Sequence, residues 1–525
     1  KMQSTKKINK KVKKKNQQTK PNMQIQKEVV DRTVKRCKDL EIVLPTIAQQ
    51  IDPTLIPQQI QDELKKVDIQ DVNSLNLFRI TWHNDPKGGF RAVPNYIVIP
   101  PALSGCKANI LVMLGKYFPT GAHKVGATYV MLSDMLTKGT FDPEKQQGMF
   151  PSTGNFCRGG AFNACMLGCQ NVAVLPENMS KERFEWLRRH KAEIHATKGS
   201  ESNVKEVFDK AKQLCAERGD KIVNFNQFEL LQNYTWHYNC TGRALEKVFI
   251  DFSKGEKRLF GQFFTTGSAG SIAAADYLKF ANPNQKVHAP VANKQIHTPV
   301  TCCGEAVQCP TIYNNGYGAH MIEGIGDKHI PWIFNARDQD AVACIDDAIA
   351  MRVLRLFNEP EGKQYLHEKI GMSHEDIELL NSMGISGIAN MMGCIKMAKY
   401  YDCTEKDVLV TVATDSCAMY MSRLKELEEQ FGKYSTLQAA LDFEALKQIK
   451  TDMMRELNYN DRKQIHHLKY FTWVEQQGKT VEDLDAQFYV QNYWEKLANY
   501  QAELDARIVE FNKQAGVLQN KFHVQ

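Results

Sequence analysis

The residues best placed to do chemistry begin with Lys124, which closes the run Pro119-Thr120-Gly121-Ala122-His123-Lys124. An apolar stretch, Ile110–Leu114, precedes it and reads as a buried strand; from about His123 to Leu136 the spacing is helical. An ammonium where a buried strand meets a helix start is costly to keep charged, so it has a lowered pKa or is used covalently. An isolated motif of this kind is more often a surface lysine at a helix N-terminus. Two further stretches change that balance. Pro151-Ser152-Thr153-Gly154-Asn155 follows a strand and opens the predicted helix Cys157–Leu167. Small hydroxyls, a glycine and an asparagine at a helix start can hold a small carboxylate. A helix cap would explain one of those residues but hardly four.

The other stretch is Thr265-Thr266-Gly267-Ser268-Ala269-Gly270-Ser271, between the predicted strand Phe260–Phe264 and a helix. A turn of glycines and hydroxyls in this place cradles a phosphate. It lacks the lysine of a nucleoside-triphosphate loop and the full Gly-x-Gly-x-x-Gly of a dinucleotide fold, which disfavours a nicotinamide dehydrogenase. A lysine at a helix start, a carboxylate loop and a phosphate cup together suit a phosphorylated aldehyde joined to lysine. That describes pyridoxal 5′-phosphate.

Elements of two periods must position these loops. From Ile110 to about Arg423 strand-like and helix-like patterns alternate: Val172–Leu175, then Lys181–Arg189, then Glu193–Ala196, then Val204–Leu214. That alternation argues an α/β fold with a mostly parallel sheet. Strands are expected at Ile110–Leu114, Val172–Leu175, Arg258–Phe264, Lys286–His288 with Val300–Cys303, and Val408–Val412. Phe78–Trp82 and Tyr96–Ile99 also read as strands. A loop-like insert at 285–303 contains Pro290 and Pro299. The expected organisation is a basic tail (1–24), a helical extension (25–75), a catalytic body (76–423, with a smaller domain at about 145–255) and a helical C-terminal extension (424–525).

The 525 residues are 43% hydrophobic and 24% charged, ordinary for a globular chain, and no apolar run approaches a membrane span. The net charge of +7 is uneven: residues 1–20 hold nine lysines and no acid, which leaves the rest near −2. Such a tail cannot fold alone and reads as a solvated segment or an arm for an acidic partner or larger assembly. The fourteen cysteines show no zinc spacing and no Cys-x-x-Cys pair, so no metal site is expected. They read as reduced core thiols, which suggests a reducing intracellular compartment, the cytoplasm first, with mitochondrial or cytoskeletal association left open.

The sequence resembles the β-family, or fold type II, of pyridoxal-phosphate enzymes, and within it the cysteine synthase and tryptophan synthase β group. Pro-Thr-Gly-Ala-His-Lys resembles the family's Schiff-base motif, which implies Lys124 as the cofactor lysine and the catalytic base at Cα. Ser152-Thr153-Gly154-Asn155 resembles the asparagine loop, so Ser152, Thr153 and Asn155 are implied to bind the substrate carboxylate, with Asn155 also beside the cofactor's phenolic oxygen. Gly267, Ser268, Ala269, Gly270 and Ser271 resemble the phosphate loop. Gly384-Ile385-Ser386-Gly387 resembles the segment whose serine faces the pyridine nitrogen, here Ser386. Gln227-Phe228 followed by Asn233, His237, Thr241 and Gly242 repeats a segment whose glutamine helps hold the carboxylate. Gly324-Ile325-Gly326 resembles the loop on the cofactor's open side, and Asp415-Ser416 through Tyr420 a late Asp-Ser-Gly-x-Arg-Tyr segment.

The resemblance covers roughly residues 76–423, collinear with the family, and has departures. Phe118 stands where many members carry Asn, and Phe156-Cys157-Arg158 replaces small residues. Ala269 stands at a common Gly, and Cys417 and Met419 replace Gly and Arg. Arg158 reads either as reaching a distal carboxylate or as a solvated helix residue, the latter being expected. The resemblance implies two interleaved domains, a homodimer, and β-elimination or β-replacement on a serine-derived amino acid. A hydroxyl at Ser386 does not hold the ring nitrogen protonated, which favours elimination over transamination. The competing reading is an enzyme fold kept as a structural subunit of a larger assembly.

Overall fold

The computed structural model describes residues 23–152, 154–199, 203–287 and 297–524. The expectations for the tail thus fall almost wholly outside the described residues, as does Thr153. Two sheets are built from β1 (Tyr96–Ile99), β2 (Asn109–Leu114), β3 (Gln147–Pro151), β4 (Asn171–Pro176), β5 (Glu193–Thr197), β6 (Ile222–Asn224), β7 (Arg258–Thr265), β8 (Val300–Ala306), β9 (Ala341–Ile345), β10 (Asp407–Ala413) and β11 (Met454–Glu456). The larger sheet has the order β1-β2-β10-β7-β8-β9-β11 and the smaller β5-β4-β3-β6. The smaller sheet is parallel throughout. In the larger, only the edge strands β1 and β11 run antiparallel to their neighbours.

The central strands are continuous apolar runs because both faces are covered. In β2 the faces alternate: Leu111 and Met113 join one core cluster, Ile110, Val112 and Leu114 the other. Helices Lys124–Lys138 and Ile272–Ala281 contribute to the first cluster, and Ile385–Tyr400 to the second. The helix starting at Lys124 ends at Gly139, which takes the left-handed φ of +72° that stops a helix.

Two expected strands are corrected. Phe78–Trp82 is not a strand: Phe78 lies in a 3₁₀ turn, Ser74–Arg79, capped by the Asn73 side-chain Oδ1, which accepts from the Leu75 N–H at 3.0 Å. The buried Arg79 guanidinium donates to the Leu64 and Val67 carbonyls, which fixes that turn. Lys286 and Val287 belong to a short helix, Asn284–Val287, and His288 lies outside the described residues. Pro283 presets the helical φ there, and the Asn284 side chain bonds both backbone groups of Leu259 on β7.

The extensions are packed onto the body and onto each other. The backbone of Leu44 exchanges two hydrogen bonds with the Asn512 amide, and Ile47 and Ala48 donate to the Asp505 carboxylate. Val43, Ile56, Ile60 and Phe78 share a core cluster with Ala515, Val517 and Phe522. Further along, the buried Lys469 ammonium donates to the carbonyls of Trp332 and Phe334 and to Gln487 Oε1, at 2.9, 2.6 and 2.6 Å. Trp473, in a π-helical turn, donates to the Ile330 carbonyl.

Glu305, buried at the carboxyl end of β8, accepts the N–H groups of Ile312 and Tyr313 at 2.8 and 2.7 Å. Burial pushes its pKa up to about 8 against those donors. The unfolded chain releases the same proton near the ordinary glutamate value of about 4.3. Between these values the folded state binds the extra proton, so stability falls as pH rises through the window. Glu305→Gln is expected to flatten that slope, read from urea midpoints taken across the window; an unchanged slope would assign it to other groups.

All fourteen cysteines are free thiols. Among the described residues no helix is long and apolar enough to cross a membrane, and no group of three or more His, Cys, Asp or Glu side chains is placed to hold a metal ion.

Candidate active site

The site lies at the carboxyl ends of β2, β3, β7 and β10, where ligands bind in open α/β sheets. Lys124 is the first residue of its helix and is half-buried; its Nζ is 2.9 Å from Ser268 Oγ and 3.4 Å from Gln227 Oε1. Asn233 Nδ2 holds both neighbours in place, donating to Ser268 Oγ at 3.1 Å and to the Gln227 carbonyl at 2.9 Å. Two cavities meet at Lys124. One is lined by Ser152, Asn155, Gln227, Gly267 and Ser268, the other by the run Gly267–Ser271 with Ser386 and Asn390; Gly324 borders both.

The glycine-and-hydroxyl run leaves β7 and leads into the helix Ile272–Ala281, whose N-terminal dipole favours an anion there. The Asn390 side chain accepts from the N–H and hydroxyl of Thr265 and donates to the Val412 carbonyl, tying β7 to β10 beneath the cup. Ala269 sits at φ +65°, so the turn keeps a left-handed position that a glycine would occupy without strain. Gly324 has φ +97°, and a Cβ there would lie 3.8 Å from Ser386 Cβ and Oγ, filling the space between the two.

Beside the cup, His123 and His237 are fully buried with rings perpendicular and 4.9 Å apart. Burial first, then neighbouring positive charge, holds both pKa values well below the usual histidine range, so both are neutral. His123 Nδ1, His237 Nε2 and the Thr266 hydroxyl have no hydrogen-bond partner among the described residues. Buried polar atoms without partners next to a phosphate-type turn suit a bound anion. The residues therefore fit pyridoxal phosphate: Lys124 for its aldehyde, Gly267–Ser271 for its phosphate, and Ser386 and Gly324 around its ring.

The asparagine loop is held from behind. Gly154 has φ +144°, and a Cβ there would stand 2.2 Å from Arg183 Nη1. Arg183 is completely buried: its Nη2 donates to the Tyr420 hydroxyl at 2.8 Å, and its Nη1 pairs with Glu323 at 3.2 Å. The Tyr420 hydroxyl donates to Asp415 Oδ2 at 2.8 Å. Arg158 is not solvated as expected, nor does it reach out to a distal carboxylate. It is buried, donates to the Thr120 carbonyl at 2.5 Å and to Asn155 Oδ1 at 3.2 Å, and stacks 4.9 Å from the Trp186 ring. Burial, then the Arg183 charge, lowers its pKa to about 10.

The structure thus brings together Lys124, Ser152, Asn155, Gln227, Gly267–Ser271, Gly324 and Ser386. Sequence reasoning missed Asp327 and Thr414, which line the cavities, and Arg183 behind the loop. Asp327 directly follows Gly-Ile-Gly, which was the available signal; an arginine in a polar helix gives none.

The chain is similar to known proteins. Residues 97–363 match the family model described as pyridoxal-phosphate dependent enzyme, half of the chain. A cysteine synthase of Staphylococcus aureus is 28% identical over 257 residues, covering 49% of this chain and 75% of its own. The cystathionine beta-synthase of Saccharomyces cerevisiae is 24% identical over 334 residues, 63% of this chain and 60% of its own. Among solved structures, a cysteine synthase from Entamoeba histolytica superposes with a TM-score of 0.52 at 18% identity, covering 68% of this chain and 94% of its own. A hydrogen sulfide-producing enzyme from Fusobacterium nucleatum gives 0.51 at 22%, covering 65% and 99%. With the lysine, cup and loop in this arrangement and half the sequence matched, the chain belongs to the pyridoxal-phosphate-dependent enzymes of fold type II.

Proposed function

We propose that the protein catalyses β-replacement or β-elimination on a serine-derived amino acid, in the manner of a cysteine synthase. The observation that carries this reading is the position of Lys124 Nζ, between the cup residue Ser268 and the carboxylate-side residue Gln227. Bound pyridoxal phosphate supplies the electron sink that lets an amino acid lose its Cα proton. Lys124, once free, takes that proton as the general base. Ser152 and Gln227, with Asn155 contributing its backbone N–H at the helix start, hold the substrate carboxylate and so present the Cα–H to Lys124. The Thr153 hydroxyl belongs to the same proposed carboxylate set. Ser386, a neutral hydroxyl, leaves the ring nitrogen without a carboxylate partner, which supports loss of a Cβ group over amino-group transfer. The matched cysteine synthase and cystathionine beta-synthase support replacement at Cβ as the class.

A homodimer, a reducing intracellular compartment and an acidic partner for the lysine-rich tail are proposed with this function. The domain limits stay as proposed from the sequence, with the four-stranded sheet at 147–224 inside the smaller one.

The test is the visible spectrum of the purified holoenzyme on addition of serine, O-acetylserine or O-phosphoserine. One of the three is expected to shift the cofactor band and, with sulfide present, to return it as an amino-acid product forms. Loaded enzyme whose spectrum ignores all three would end the reading.

A further inference from the structure

The Asn155 side chain is gripped from both ends. Its Nδ2 donates to Asp415 Oδ2 at 2.6 Å, and its Oδ1 accepts from Arg158 Nη1 at 3.2 Å. All three groups are at least nine-tenths buried. A guanidinium can only donate, so the atom facing Arg158 has to be the amide oxygen. Turning the amide over would set its NH₂ against the guanidinium and its oxygen against Asp415. The chemistry of the neighbours therefore fixes the orientation.

An amide nitrogen carries two hydrogens, and Asp415 takes one. Asn155 also lines the cavity that Lys124 enters. We propose that Arg158 and Asp415 are positioning residues that set the Asn155 amide so that its second N–H, never its oxygen, faces the phenolic oxygen of bound pyridoxal phosphate. A donor there stabilises the phenolate and so the tautomer in which the imine nitrogen keeps the proton. Arg158 is itself held against drift by the Thr120 carbonyl, in the turn just before Lys124, and by the Trp186 face. The grip thus ties the asparagine loop to the turn that presents the lysine. The Tyr420 hydroxyl donates to the same Asp415 oxygen, and Arg183 lies 3.9 Å from it.

The two cofactor tautomers absorb at different wavelengths, so the test reads the amide's orientation without turnover. Holoenzyme spectra are recorded for wild type, Asn155→Ala, Arg158→Met and Arg158→Gln, with thermal unfolding beside each. Asn155→Ala sets the full effect of losing the donor. Arg158→Met is expected to move the ratio of long- to short-wavelength bands in the same direction by about fivefold, the worth of one net hydrogen bond. Arg158→Gln, which keeps a neutral donor of similar reach, is expected to retain more of the wild-type ratio. It also decides the matter if the methionine variant does not fold, since any folded Arg158→Gln protein should show a partial shift. A wild-type ratio in either folded variant, with only the unfolding temperature lowered, would reduce Arg158 to a structural contact and overturn the proposal.

Discussion

Lys124→Ala is expected to lower turnover by roughly a thousandfold or more, since it removes both the covalent anchor and the general base. The fold should survive, because alanine has high helix propensity and the Lys124 side chain is only half-buried. Two measurements check this. Steady-state rates give the loss, and borohydride reduction followed by peptide mapping shows where the cofactor is fixed in the wild type. The expected peptide contains Lys124; fixation on another lysine would remove the basis of the proposed function.

Arg183→Leu is expected to have the largest effect on stability. The guanidinium lies among Glu323, Asp415 and Tyr420 with no exposed surface. Removing it takes the nearest cation from buried Asp415 and leaves buried Glu323 with Arg423 as its remaining ion-pair partner among the described residues, a loss of about 3 kcal/mol. Burial already raises the Asp415 pKa, with Arg183 acting against that rise. Without Arg183 the folded-state pKa climbs further. A carboxyl whose folded pKa exceeds its unfolded value loses stability as pH rises between the two. The deficit of the variant should therefore shrink on acidification and grow toward neutrality. Urea unfolding at several pH values reads both magnitude and sign; a deficit below about 1 kcal/mol would place the interaction with exposed ion pairs.

The parts of the site that could be read from the sequence are those whose chemistry is local. The apolar run of β2, the turn before Lys124 and the cup Gly267–Ser271 announce themselves because strand, turn and helix start are set by neighbouring residues. Arg158 and Arg183 carry no such signal. Arg183 sits in a polar helix and Arg158 among small and apolar residues, and what each one contacts depends on Trp186, Tyr420 and Asp415, which are distant or separately placed in the chain. Phe78–Trp82 failed for a related reason. Its apolar content was real, but Asn73 and Arg79 spend their hydrogen bonds on closing a tight turn instead of leaving a strand free to pair.

The clasp between the two extensions bears on how the protein is made. Leu44, Ile47 and Ala48 find their hydrogen-bond partners on Asp505 and Asn512, more than 450 positions further on. During synthesis at about 5–20 residues per second, the early segment waits tens of seconds for them. Through that interval its apolar residues Val43, Ile56 and Ile60 lack the cover that Val517 and Phe522 later provide. Such long-range closure slows folding and leaves a sticky nascent chain, which makes this region a natural client for a chaperone at the ribosome. Moving the stretch 493–524 ahead of residue 23 through a linker would let the clasp form first, and should raise the yield of folded protein without altering any residue of the site.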